Sequence, residues 1–177
     1  CGADPGHLAL LDNFCWGNTD RPEVLGPMVL AARGASDAAL AHGTPFVSGK
    51  DSLNNEYRVG DDLIVIPGTL LISAIGVIDS WKHSTSMDLK APGNGVFLVG
   101  VTKNELGGSS FLKLYGKLGS DAPSFDADVS PRCAAGVARA VRAGVVRSCH
   151  DVTEGGLGVA AAEMAFAGQF GLELDVG

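Results

Sequence analysis

Pro45-Phe46-Val47-Ser48-Gly49-Lys50-Asp51-Ser52-Leu53-Asn54-Asn55-Glu56-Tyr57 is the stretch from which the rest of the chain is read. Phe46 and Val47 predict a buried strand, and the small and polar residues after them predict a turn. Within four positions that turn holds a glycine, a lysine, a carboxylate and a hydroxyl. Such a set suits a phosphate or metal-phosphate ligand. Gly49 lets the backbone approach a bulky anion, Lys50 supplies a point charge, Ser52 donates to oxygen, and Asp51 can face Mg²⁺. The same residues also make an ordinary surface turn, and the second glycine and spacing of a Walker A loop are missing. Alone, the stretch allows a nucleotide without specifying one.

On its N-terminal side, the apolar run from His7 to Leu11 leads into Asp12-Asn13-Phe14-Cys15-Trp16-Gly17-Asn18. Asp12 and Asn13 are expected just past a strand end, where side chains face the ligand crevice of α/β folds, or else simply turn the chain. Asp20-Arg21-Pro22-Glu23 reads as a helix start, with proline at the first helical position and an acidic first turn. Leu25, Met28, Ala32, Ala35 and Ala39 form the expected apolar face of that helix, and Gly43 ends it. His42 is a favourable charge near the helix C-terminus. On the C-terminal side, residues 63–66 and 69–78 predict two strands, the second buried on both faces. Residues 1–80 thus read as strand, helix, strand, strand, in one α+β layer.

Residues 81–95 read as a polar linker, and a second unit is expected over 96–177. It opens with a buried strand at residues 96–101, followed by a short amphipathic segment around Phe111, Leu112, Leu114 and Tyr115. Ser130-Pro131 predicts a helix with a hydroxyl cap, ended by Gly144. A strand over 145–149 runs into His150-Asp151-Val152-Thr153-Glu154-Gly155-Gly156-Leu157, and a helix follows to Gly168. Two readings of this turn stay open: an anion or metal site at a helix N-terminus, or a helix capped by Thr153 with glycines that allow close packing. A last strand is expected at 172–176.

Composition bounds the function. The 177-residue chain is 46% hydrophobic, ample for a core, and its 25 glycines imply many tight turns. A net charge of −7 argues against a nucleic-acid surface, which needs a basic patch. Cys1, Cys15, Cys133 and Cys149 form no CxxC pair and read as reduced thiols, and no apolar run is long enough to span a membrane. A cytoplasmic location is the expectation.

Five blocks carry a family resemblance: Asp12 to Asn18, Arg21-Pro22-Glu23, Ser48 to Glu56, Ile75-Gly76-Val77-Ile78 and Cys149 to Leu157. In this order and spacing they resemble phosphoribosylformylglycinamidine synthase, more narrowly the second half of its small-type synthetase subunit, in the aminoimidazole ribonucleotide synthetase superfamily. The resemblance implies an α+β / α/β fold, with an N-terminal-type sheet-and-helix domain (1–80), a linker (81–95) and a C-terminal-type α/β domain (96–177), both incomplete. It implies a ligase of purine biosynthesis using ATP and Mg²⁺. Formylglycinamide ribonucleotide is phosphorylated on its amide oxygen, and ammonia displaces the phosphate. Implied partners are the remaining half of the synthetase, a glutaminase subunit and a small accessory subunit, with a homodimer through the sheet as a further expectation.

By the resemblance, Asp12 and Gly49 fall on ATP contacts and Ser52 on a substrate contact. Many relatives place a magnesium-ligating asparagine where this chain has Lys50, and an ammonium cannot coordinate a cation. Lys50 is therefore expected to touch phosphate, with Asp51 as the candidate metal ligand. No catalytic residue is expected in this stretch, since the family's catalytic histidine lies in the first half, and His150-Asp151 is expected to be structural. Without that half the chain is expected to be inactive. The alternatives are another member of the same superfamily, or a non-catalytic scaffold that pairs through its sheet.

Overall fold

The computed structural model describes residues 2–175 and divides them into two compact units, Ala3–Val77 and residues 78–175 with Gly2. In the first, β1 (Leu8–Cys15) leads through α1 (Pro22–His42) to β2 (Phe46–Ser52). The strand pair β3 (Glu56–Val59) and β4 (Asp62–Val65) follows, then β5 (Thr69–Gly76). The three-stranded sheet has the order β2-β1-β5. β1 and β2 are parallel, as a helical crossover requires, and β5 lies antiparallel on the other edge of β1. β3 and β4 form a separate antiparallel hairpin.

Helix α1 begins and ends where the residues predict. Arg21 is the N-cap, Pro22 is helical, and Gly43 closes the helix at φ 65°, donating its N–H to Leu40 O. Its half-buried stripe is Val24, Met28, Ala31, Ala35, Ala38 and Ala39, rotated by about one residue from the expected face. Leu25 lies outside the stripe and is exposed.

Three strand expectations are corrected. Gly49, Lys50, Asp51 and Ser52 do not turn; they continue β2, because β1 offers a parallel ladder through the pairs Asp12↔Gly49, Asn13↔Lys50, Phe14↔Asp51 and Cys15↔Ser52. Asp12 and Asn13 accordingly lie inside β1, not beyond its end. β5 is not buried on both faces: Leu71 and Ile72, which point to opposite sides, are 59% and 41% exposed. The sheet ends at β5, and little covers either of its faces.

The second unit is built from helices and irregular chain. Trp81–His83 is a short 3₁₀ turn, followed by α2 (Ser110–Leu114), α3 (Val129–Arg142) and α4 (Gly156–Gly168). The strands expected at 96–101 and 145–149 have no ladder partner among the described residues, and an extended segment without one is not a strand. The expectation at 172–176 runs beyond the described residues, and the part within them is not assigned to a strand. Helix α3 starts one residue before Ser130: the Asp126 carboxylate accepts from the N–H groups of Asp128 and Val129, displacing the serine as cap. Thr153 does not cap α4 with its side chain; its carbonyl accepts from Gly156 N–H.

Full burial of large side chains is rare. Among the described residues, the buried apolar side chains are Trp16, Ala138, Val141, Ala160 and Ala161. The chain exposes 12433 Å², against roughly 9,700 Å² for two separately folded units of this size. No helix among the described residues is long and apolar enough to cross a membrane.

Candidate functional site

The first unit holds all five candidate site residues, Asp12 and the four of the central stretch, Gly49, Lys50, Asp51 and Ser52. Side chains alternate across a strand and paired residues share a face, so the ladder sorts them. Asp12, Gly49 and Asp51 belong to the face with Phe14; Lys50 and Ser52 belong to the other, with Asn13 and Cys15. A 3.5 Å contact from Cys15 Sγ to Asn13 Oδ1 fits this second set.

On the first face, Asp12 and Phe14 line a groove of about 740 Å³ beneath α1, closed by Ala35, Ala39 and Phe46. Asp12 leans across the ladder onto Gly49. A Cβ at Gly49 would lie 2.7 Å from Asp12 Cγ and would run into Oδ1, so the bare Cα is what lets the carboxylate settle there. The glycine of the central stretch thus serves a neighbouring side chain, and Asp12 and Gly49 are in contact. On the opposite face, Lys50 and Ser52 sit two residues apart on an edge strand, so the ammonium and the hydroxyl can address one ligand without Asp12.

The end of β2 is held by residues that lie outside the candidate site residues. Ser52 O accepts from Trp16 N–H at 2.8 Å and from Asn55 Nδ2 at 3.4 Å, and Trp16 O accepts from Asn55 N–H at 2.8 Å. Glu56 Oε2 accepts from Asn18 N–H at 3.1 Å and pairs with Arg21, so the hairpin is tied to the start of α1. Trp16, 5% exposed, packs against Phe14 and Gly68 and fills the space behind this junction. Nothing local in the sequence marks the Arg21–Glu56 pair, since 35 residues separate its members.

Metal ligation is confined to what these carboxylates offer. No group of three or more His, Cys, Asp and Glu side chains converges among the described residues. Asp12 and Asp51 share a face, and one or two carboxylates with phosphate and water is the usual protein share of a Mg²⁺ site, so the donor chemistry fits that ion. Cys15, Cys133 and Cys149 are free, half-buried thiols, and Cys1 lies outside the described residues.

In the second unit, the block after residue 148 forms a polar cluster. His150 Nε2 lies 2.7 Å from Glu163 Oε2, and Nδ1 lies 3.1 Å from Asp151 Oδ1. The Glu163 hydrogen bond chiefly, with Asp151 adding to it, raises the imidazole pKa above the ordinary histidine value. Glu154 accepts from the Ser110 hydroxyl at 2.5 Å, which ties the start of α4 to α2.

Comparison with known proteins places this geometry. Residues 91–177 match the family described as AIR synthase related protein, C-terminal domain. Over 169 residues, 95% of its length, the chain is 39% identical to the phosphoribosylformylglycinamidine synthase subunit PurL of Rhodopseudomonas palustris. It is 40% identical to that of Acidiphilium cryptum over 98% of its length, and 37% identical to that of Thermococcus sibiricus over 99%. The chain spans 22–24% of the length of these relatives. Both units lie within the similarity: the chain is similar to PurL subunits of phosphoribosylformylglycinamidine synthase over nearly its whole length, and residues 91–177 are similar to the AIR synthase related C-terminal domain.

Proposed function

We propose that the chain supplies ATP and substrate contacts to a ligase that converts formylglycinamide ribonucleotide and ammonia into the amidine, in purine biosynthesis. The observation that carries this reading is similarity to PurL subunits over 95–99% of the chain, through both units. In this reading the ammonium of Lys50 meets phosphate on the open face of β2, and the Ser52 hydroxyl donates to substrate oxygen. Asp12 and Gly49 contact the nucleotide from the helix-covered side, where the small side chains of α1 leave room for a base. Because β2 is an edge strand, one extended nucleotide can pass its rim and address both faces.

Asp51 is the proposed metal ligand. Bound Mg²⁺ neutralises phosphate charge and fixes the in-line geometry of transfer. The proposal assigns catalysis, the general base included, to other parts of the enzyme, in the cytoplasm, with a glutaminase subunit supplying ammonia and a small accessory subunit completing the assembly. The uncovered faces of β5 support a second role for the sheet, as the surface that meets the remaining half of the synthetase or a second copy.

Calorimetric titration with Mg-ATP tests the reading. The chain is expected to bind, Asp12→Ala and Lys50→Ala are each expected to weaken binding, and the double variant is expected to abolish it. Binding unchanged in the double variant would overturn the nucleotide assignment and leave the scaffold role. Turnover by the 177-residue chain alone would overturn the assignment of catalysis elsewhere.

A further inference from the structure

We infer that His150, held between Glu163 and Asp151, is a protonation-controlled latch fastening the 148–151 segment to helix α4. The proposal is independent of the nucleotide reading. Its basis is the hydrogen-bond inventory of an imidazole. Both ring nitrogens face carboxylate oxygens, Nε2 at 2.7 Å and Nδ1 at 3.1 Å. An ionised carboxylate only accepts, and a neutral imidazole carries one N–H. A neutral ring would turn a lone pair toward one of the two acids; the imidazolium satisfies both.

The tie closes a junction of three segments. Ser148 Oγ donates to Asp88 O at 2.5 Å and Cys149 N–H to Ser86 O at 3.1 Å, joining 148–151 to the 86–89 segment. Leu89 N–H in turn donates to Met164 O of α4 at 3.2 Å, and Gly168 gives Leu89 room to lie against the helix. His150–Glu163 completes the circuit from 148–151 to α4. The His150 side chain is 15% exposed, and Glu163 and Asp151 are 46% and 78% exposed, so Glu163 is the better shielded partner. Glu163 faces the ring from α4 and Asp151 from its own segment. On the 86–90 segment, Asp88 is engaged by Lys90 at 2.5 Å, and at the start of α4 Glu154 is engaged by Ser110.

The sign follows from linkage. A histidine whose folded-state pKa is raised contributes stability fully below the unfolded value, about 6.5, and loses it as pH rises through the raised value. The latch is fastened in mildly acidic solution and opens on the alkaline side.

NMR titration of the histidine rings of the 177-residue chain, with His150 assigned by His150→Gln, tests this. The expected midpoint for His150 lies above about 6.5, and Glu163→Gln lowers it more than Asp151→Asn. A midpoint at or below the ordinary value, or one insensitive to Glu163→Gln, overturns the proposal. Hydrogen exchange supplies the second arm. Protection of the α4 amides, corrected for intrinsic exchange, is expected to fall across the midpoint by about tenfold for each unit by which the pKa is raised, and to stay flat in Glu163→Gln. Flat protection in the native chain, with His150 titrating high, would show an ion pair that latches nothing and would equally overturn the inference.

Discussion

The two units of this chain hold themselves together differently. In Ala3–Val77 a backbone ladder sets the register, and β1 is paired along both edges from Leu10 to Cys15. In residues 78–175 no ladder forms among the described residues, and side chains reaching for distant backbone or for one another take its place, as in Ser148 to the Asp88 carbonyl across 60 positions or Ser110 to the Glu154 carboxylate across 44. Residues 96–101 are the richer in strand-forming side chains, while Leu8–Cys15 has no β-branched residue and includes Asp12 and Asn13, yet only Leu8–Cys15 becomes a strand. What separates them is a partner. A segment's propensity is realised when neighbouring chain accepts its N–H and C=O groups, and otherwise it stays extended and irregular.

The sharpest way to break that contrast is at Trp16, the one large buried side chain at the junction of the sheet and the hairpin. Trp16→Ala is expected to destabilise the sheet unit by about 3–5 kcal/mol, seen in urea unfolding followed by amide exchange in β1 and β5. A loss below that range would mean the ladder does not depend on this anchor. Next in size is Gly49→Val, which sets a side chain against the Asp12 carboxylate at a cost of about 1–3 kcal/mol. Asp12→Ala in the same chain is expected to recover most of the loss, and a double variant no more stable than Gly49→Val would refute the close approach as the reason for glycine.

Glu56→Ala removes the acceptor for Asn18 N–H and the partner of Arg21, whose side chains are 18% and 30% exposed. The expected cost, with water partly screening the pair, is about 1 kcal/mol, accompanied by faster exchange at Asn18. The smallest effect sharpens the other side of the comparison. Asp126, its carboxyl pKa lowered chiefly by the Val129 N–H, caps α3 when ionised. Its contribution is present above the ordinary carboxylate range and lost as pH falls through the lowered value. Asp126→Asn is expected to flatten that acid limb in a thermal melt, and an unchanged limb would remove Asp126 as its source.

Much of the sheet unit was legible in its residues. Pro22 and Gly43 bracket α1 because one lacks an N–H that the first turn does not need and the other accepts a left-handed backbone. The βαβ order and the β-branched run of β5 were equally readable. The central stretch misled, because Gly-Lys-Asp-Ser has turn composition and its parallel partner lies 37 residues earlier, from Asp12 to Gly49. For the same reason the grouping of site residues was half visible. Asp12 and Gly49 are neighbours across the ladder, while the division of Lys50 and Ser52 from Asp12 by the plane of the sheet appears only once β2 is known to be a strand.

By itself the sequence determined the limits of α1, an acidic net charge, and a resemblance carried by five ordered blocks. Those depend on local backbone preferences, on charge totals, and on residue order. Tertiary structure alone decided which apolar segments became strands, which face each polar residue of β2 occupies, that Glu56 braces the start of α1, and that His150 lies between two acids. Each of these needs at least one partner from another segment of the chain, and its energy exists only when folding has brought the members together.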